Sequence, residues 1–188
     1  MIRIGLVGDI GAGKSFVGKN FRFPLFNADQ EVKKIYKKNK YCFNKLNQKF
    51  PDHIKKFPIS KNEIKKLLNK KNIKIISKIV HPYVRVALRN FLNKNYSKKH
   101  VVLDIPLLIE NKLNKKSDII IFVKTPKKII QKRLKKRGIY NKKVIEILKS
   151  QQIKIDKKIK LSRFVVDNSK NKKEVIKEIK QIKKKLND

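Results

Sequence analysis

Tryptophan is absent from this chain of 188 residues, cysteine and methionine occur once each, and 14 acidic side chains stand against 52 basic ones. The single cysteine, Cys42, excludes an internal disulfide and cannot alone assemble a thiolate metal site, which agrees with a reducing compartment. It reads as a small packed side chain. No run reaches the roughly eighteen apolar residues of a membrane span. The first residues read as a strand and loop rather than a charged segment leading into an apolar signal region. A cytoplasmic protein with no membrane partner is the expectation. Glycine is scarce too: there are six, and five of them fall within the first eighteen residues.

That cluster frames Gly8-Asp9-Ile10-Gly11-Ala12-Gly13-Lys14-Ser15, a full match to the phosphate-cradling pattern G-x-x-x-x-G-K-[ST]. Ile2 to Val7 before it reads as a buried apolar strand, and Ser15 to Phe21 after it can open a helix. Gly8 and Gly13 permit a backbone turn that side chains would block. Successive N–H groups of the loop, those of Gly11 and Ala12 included, can then surround phosphate oxygens. Lys14 reaches the β and γ phosphates of a nucleoside triphosphate, and the Ser15 hydroxyl is placed to ligate the magnesium that bridges them. Phe16 follows where many such loops carry a second hydroxyl, so it offers phosphate only its backbone N–H.

A formal charge of +38 ordinarily points to nucleic acid or an anionic membrane surface. Here only seven of the 52 basic residues are arginine. Lysine, isoleucine and asparagine are inflated together along the whole length, the mark of a genome-wide bias toward A and T. The basic residues are scattered, aromatics are not interleaved with them, and no nucleic-acid-binding module pattern occurs. No specific nucleic-acid partner is expected; nonspecific, salt-sensitive adhesion is. The same field helps attract polyanions such as ATP.

Apolar runs suited to buried parallel strands recur at Ile2 to Val7, His100 to Leu103, Asp118 to Val123 and Arg163 to Val166, with a short fifth at Pro24 to Phe26. Helical patterns lie between them. The alternation predicts an α/β fold, a doubly wound, five-stranded parallel sheet with phosphate chemistry at the carboxyl ends of the strands. Between Asp29 and Asn95 the pattern is helical and lysine-rich, which reads as a helical substrate-binding insertion. Near the end of the chain, Val175, Ile179, Ile182 and Leu186 form a narrow aliphatic stripe on a lysine-covered helix, a packing face rather than a membrane-surface one.

Four further groups invite a chemical reading. Asp29 follows the short strand, where its carboxylate can act as general base toward a hydroxyl nucleophile; an N-cap of the next helix is the equal alternative. Asp104 ends a core strand and can hold magnesium through water, or can cap a following helix. His81-Pro82-Tyr83-Val84-Arg85 is expected to start a helix, with Pro82 where its missing N–H costs nothing and Arg85 one turn in, able to grip an anion with its planar fork. His81 itself has no carboxylate partner in sequence, which favours capping or packing. Arg133 and Arg137 share one helix face and form either a clamp on the transferring phosphoryl group or part of a solvated basic face, with Gly138 ending that helix.

The Gly8 to Ser15 loop, Asn27-Ala28-Asp29, His81-Pro82-x-x-Arg85, Asp104-Ile105-Pro106-Leu107-Leu108-Ile109-Glu110, Arg133-x-x-x-Arg137, Gln151 and Val165-Val166-Asp167-Asn168, in this order, resemble the dephospho-CoA kinase family over nearly the full chain. The resemblance implies ATP-dependent phosphorylation of the ribose 3′-hydroxyl of dephospho-CoA, with ATP and Mg2+ as the nucleotide and ion, and a monomer is expected. It implies three parts: a nucleotide-binding core (1–29, 98–125 and 160–188), a helical CoA-binding insertion (30–97) and a lid (about 126–159). Asp29 then is the base, Arg85 holds the acceptor beside His81, Asp104 and Leu107, and Arg133 with Arg137 belongs to or flanks the lid. Asn168 lies near the ATP base or its supporting loop. The family usually carries Asp where this chain has Asn27, a small residue at Asp9, a hydroxyl at Phe16 and Arg at Lys33. The alternatives are another small P-loop kinase for a nucleoside monophosphate or metabolite, and a basic nucleotide-binding protein that contacts RNA.

Overall fold

The computed structural model describes residues 1–136 and 142–187. Five strands, β1 (Ile2–Val7), β2 (Leu25–Asn27), β3 (His100–Asp104), β4 (Ile119–Lys124) and β5 (Phe164–Asp167), form one parallel sheet in the order β2-β3-β1-β4-β5. Strands buried on both faces are expected to be near-continuous apolar runs. Accordingly β3, every residue of which is buried, and β1 hold the middle, while three-residue β2 and four-residue β5 are the edges. The register sets Asn27 beside Asp104 and Lys124 beside Asp167, so both edges of the sheet end in polar residues on the side where β1 runs into the glycine loop.

The helices are α1 (Lys14–Asn20), α2 (Ala28–Lys38), α3 (Lys40–Lys49), α4 (Lys61–Leu67), α5 (Lys70–Lys94), α6 (Lys127–Lys136), α7 (Lys142–Lys149), α8 (Ile155–Lys160) and α9 (Lys172–Asn187). The chain divides into two compact units. One comprises Met1–Asn27 and Asn95–Asp188; the other is Ala28–Lys94. In the first, Ile4, Leu6, Ile121, Val123 and Val166 of the sheet join Val17 and Phe21 of α1 in a single core. The α9 stripe closes it: Val175, Ile179, Ile182 and Leu186 are all buried, at roughly 2 kcal/mol of hydrophobic stabilisation each. In the second unit α2 and α3 pack on α5. There a full capping box starts α4, Ser60 accepting from the Glu63 N–H while the Glu63 carboxylate accepts from the Ser60 N–H.

One expectation is corrected and two of the alternatives fall away. Pro82 does not start a helix but sits inside 25-residue α5. A proline there removes one backbone hydrogen bond and costs about 3 kcal/mol. Ile73, Ile76 and Val80 before it and Val84 and Leu88 after it are buried on one continuous face, which holds the helix together across the break. Asp104 caps no helix, because among the described residues none lies between β3 and β4. The chain turns instead, with Leu108 N–H bonded to the Ile105 carbonyl, Leu113 N–H to that of Leu108, and Lys112 at a φ of 52°. Asp29 is not an N-cap either: α2 begins one residue earlier, at Ala28, which puts Asp29 in the first turn, where a carboxylate suits the helix dipole. Arg137 and Gly138 lie outside the described residues.

Candidate active site

The glycine loop connects the end of β1 to α1 and requires its glycines. Gly8 has a φ of 151°, and a Cβ there would lie 2.7 Å from the Val123 carbonyl oxygen. Gly13, at 90°, would drive a Cβ into the Asn168 amide. Close packing against the neighbouring strand ends thus leaves the loop one path. Three donors converge on the Ala12 carbonyl: Thr125 Oγ1 at 2.9 Å, Asn168 Nδ2 at 2.7 Å and Arg133 NH1 at 3.1 Å. Arg133 also donates to the Asn168 carbonyl at 2.9 Å, and the Asn168 N–H bonds the Lys124 carbonyl. Side chains from α6, the end of β4 and the end of β5 therefore brace the loop from three directions.

Lys14 is buried and its ammonium donates to the Asp9 carbonyl at 3.0 Å and the Gly8 carbonyl at 3.2 Å. The loop's own oxygens thus hold the cation at the loop. Asp9 folds inward, Oδ1 accepting from the Ile10 N–H at 2.8 Å, with Lys149 of α7 at 3.9 Å from Oδ2. Phe16 packs its ring against the core, and its N–H already bonds the Gly13 carbonyl at 2.9 Å.

Ser15, exposed at the start of α1, donates its hydroxyl to Asp104 Oδ2 at 2.5 Å. Asn27 Nδ2 lies 2.6 Å from the same oxygen and 3.2 Å from Ser15 Oγ. The β2–β3 register aligns the last two residues and the β1–β3 pairing brings the loop to them, so three separate segments supply one polar cluster. Asp104 and Asn27 are only 4% and 8% exposed, a setting in which such bonds are strengthened. Leu107 lies in the turn after β3, its carbonyl accepting from the Asn111 N–H. Glu110 of the same turn pairs with the buried Lys158 of α8 at 2.9 Å and accepts from the Ile153 N–H.

In the helical unit Asp29 is exposed in the first turn of α2. His81 is half-buried on α5, and its pKa is pushed below the ordinary value by burial and then by the Arg85 guanidinium one turn on. Arg85 is exposed. Of the residues read from the sequence, Lys14, Ser15 and Asp104 are thus gathered with the loop, and Arg133 and Asn168 meet at its Ala12 carbonyl as braces. Sequence reasoning passed over Thr125 and the amide of Asn27. Thr125 carried a usable signal, since it follows a core strand on the loop's side of the sheet. Asn27 carried a weaker one, as a polar residue closing an edge strand.

A central parallel strand that delivers a glycine loop, a lysine and a hydroxyl next to a strand-ending carboxylate defines the class of phosphate-loop kinases. Within that class the family is specific. The family model for dephospho-CoA kinase matches residues 2–174, and the chain belongs to that family. It is 33% identical over 186 residues to the dephospho-CoA kinase of Wolbachia sp. subsp. Brugia malayi, covering 95% of each chain. Among solved structures, a Thermus thermophilus protein aligns with a TM-score of 0.77 at 24% identity, covering 98% of this chain and 97% of that one. The dephospho-CoA kinase of Campylobacter jejuni aligns with a TM-score of 0.65 at 21% identity, covering 98% and 96%.

Proposed function

We propose that this chain transfers the γ-phosphoryl group of ATP to the ribose 3′-hydroxyl of dephospho-CoA. ATP-dependent phosphorylation of dephospho-CoA, in coenzyme A biosynthesis, follows from family membership. The observation that carries the donor half is the Ser15–Asp104–Asn27 cluster beside the braced glycine loop.

Phosphoryl transfer asks the protein mainly for positioning and charge neutralisation. The loop N–H groups and Lys14 bind and orient the phosphates. Lys14 has carbonyl partners it can exchange for phosphate oxygens without first being desolvated, since it is already buried. A hydroxyl and one carboxylate are hard oxygen donors, and no cluster of three or more His, Cys, Asp or Glu occurs among the described residues. That set fits an ion that keeps several waters and shares the phosphates, as magnesium does. Ser15 and Asp104 are the residues that would hold it, and when bound it neutralises the β and γ phosphate charge. Asp29 accepts the proton of the attacking 3′-hydroxyl. Arg85, with His81 kept neutral one turn before it, holds an anionic group of the acceptor in the helical unit, and Leu107 contributes an apolar contact. Arg133 sustains the loop's shape, and Arg137 adds charge to the lid. The segment 30–97 is the acceptor-binding insertion and about 126–159 the lid. The protein acts as a monomer in the cytoplasm and needs no nucleic acid.

Steady-state ADP release with Mg-ATP held saturating and dephospho-CoA, AMP, shikimate or no acceptor added tests this reading. Turnover only with dephospho-CoA is expected. ADP release of equal rate without acceptor would overturn it.

A further inference from the structure

We infer that Asn27 is a positioning residue for the magnesium-bearing phosphate site: its amide and the Ser15 hydroxyl together occupy one oxygen of Asp104, leaving the other as the oxygen the carboxylate offers. This rests on the reading of Ser15 and Asp104 as the magnesium-holding pair. Asn27 Nδ2, Ser15 Oγ and Asp104 Oδ2 form a closed triangle with sides of 2.6, 3.2 and 2.5 Å. The amide hydrogen is therefore shared, strongly toward Asp104 and weakly toward Ser15. A carboxylate oxygen has about two acceptor sites, and on Oδ2 both are taken. Both of these bonds to Asp104 fall on Oδ2 rather than Oδ1.

The side chain at position 27 must be a donor for this to hold. An amide placed against a carboxylate and a hydroxyl that has already given its proton can only present its NH2 end, which settles its orientation by chemistry. Strand pairing puts Asn27 and Asp104 opposite one another, so the contact is set by the backbone rather than by a flexible side chain. A carboxylate at 27 would instead be a second buried acceptor beside Oδ2, competing for the one Ser15 proton. With the proton directed to Asp104, the Ser15 hydroxyl keeps lone pairs for a cation. Partners of this kind, which do not touch the ion but orient groups that do, change metal affinity by roughly 10- to 100-fold when removed.

Calorimetric titration of ATP into the full chain, once with excess magnesium and once with EDTA, tests the inference on the wild type, Asn27→Leu and Asn27→Ala. Leucine keeps the branched shape of the side chain and loses the donor; alanine loses both. Wild type is expected to bind ATP more tightly with magnesium, and both variants to lose about tenfold of that tightening while keeping the EDTA affinity, which also reports a folded loop. Retention of wild-type magnesium dependence in Asn27→Leu would overturn the role, as would an equal loss with and without magnesium, which means packing alone. A wild type with no magnesium dependence would overturn the Ser15–Asp104 assignment itself, and this inference with it.

Discussion

At the scale of single residues, the account turns on a few polar side chains whose neighbours decide what they do. Asp29→Asn keeps the size and position of the side chain in the first turn of α2 but removes its basicity. The expected result is a fall in kcat of roughly 10²-fold with an unchanged KM for ATP, read in a dephospho-CoA assay. A near-normal rate would reduce Asp29 to a helix-dipole residue. His81 and His100 both titrate below their ordinary 6.5, each mainly through burial. Below that pH the unfolded chain takes up protons that the folded chain refuses, so stability is full above about 6.5 and lost as pH falls through it. Thermal melts should show this decline, and it should flatten in His100→Gln, whose ring stacks on Phe23 at 4.9 Å and lies 3.3 Å from the Leu186 carbonyl. Lys14 and Ser15 were legible from their pattern because the backbone there permits little else. Asn27 and Thr125 were not, since their roles exist only once neighbouring strands are in register and their partners are distant in sequence.

Elements were legible where one physical signal dominated. All five strands overlap apolar runs; in β1, β3 and β4 this is because a parallel strand buried on both faces has no polar face to interrupt it. The α9 stripe was equally plain. The reading failed where a local breaker met a tertiary interaction. Pro82 looked like a start signal, yet the apolar face of α5 runs through it; Pro106 and the positive φ of Lys112 keep 105–113 in turns despite its apolar content. That turn is anchored to α8 by Glu110 and Lys158, whose side chains are 9% and 2% exposed. Glu110→Gln would strand a buried ammonium without its carboxylate. It is expected to destabilise the chain by about 3–5 kcal/mol, read as a lowered urea midpoint with unchanged slope. An unshifted midpoint would mean that the pair contributes nothing.

For the whole molecule, net charge and division into units frame how substrates are met. Among the described residues no helix is long and apolar enough to cross a membrane. A charge of +38 makes adhesion to any polyanion unavoidable at low salt. Anisotropy with unrelated single-stranded RNAs should therefore give similar affinities for all of them and a steep loss with added salt; a salt-resistant preference for one sequence would revive an RNA-binding role. The boundary falls between Asn27 and Ala28, so the proposed base, Asp29, is the second residue of the helical unit along the chain. The central claim is a defined phosphoryl transfer. Its most direct measurement is the site of phosphate on the product formed from dephospho-CoA and Mg-ATP, read by phosphorus NMR with ADP followed in parallel. The account predicts a ribose 3′-phosphate formed with one ADP per product; ADP and free phosphate with dephospho-CoA unchanged would contradict it.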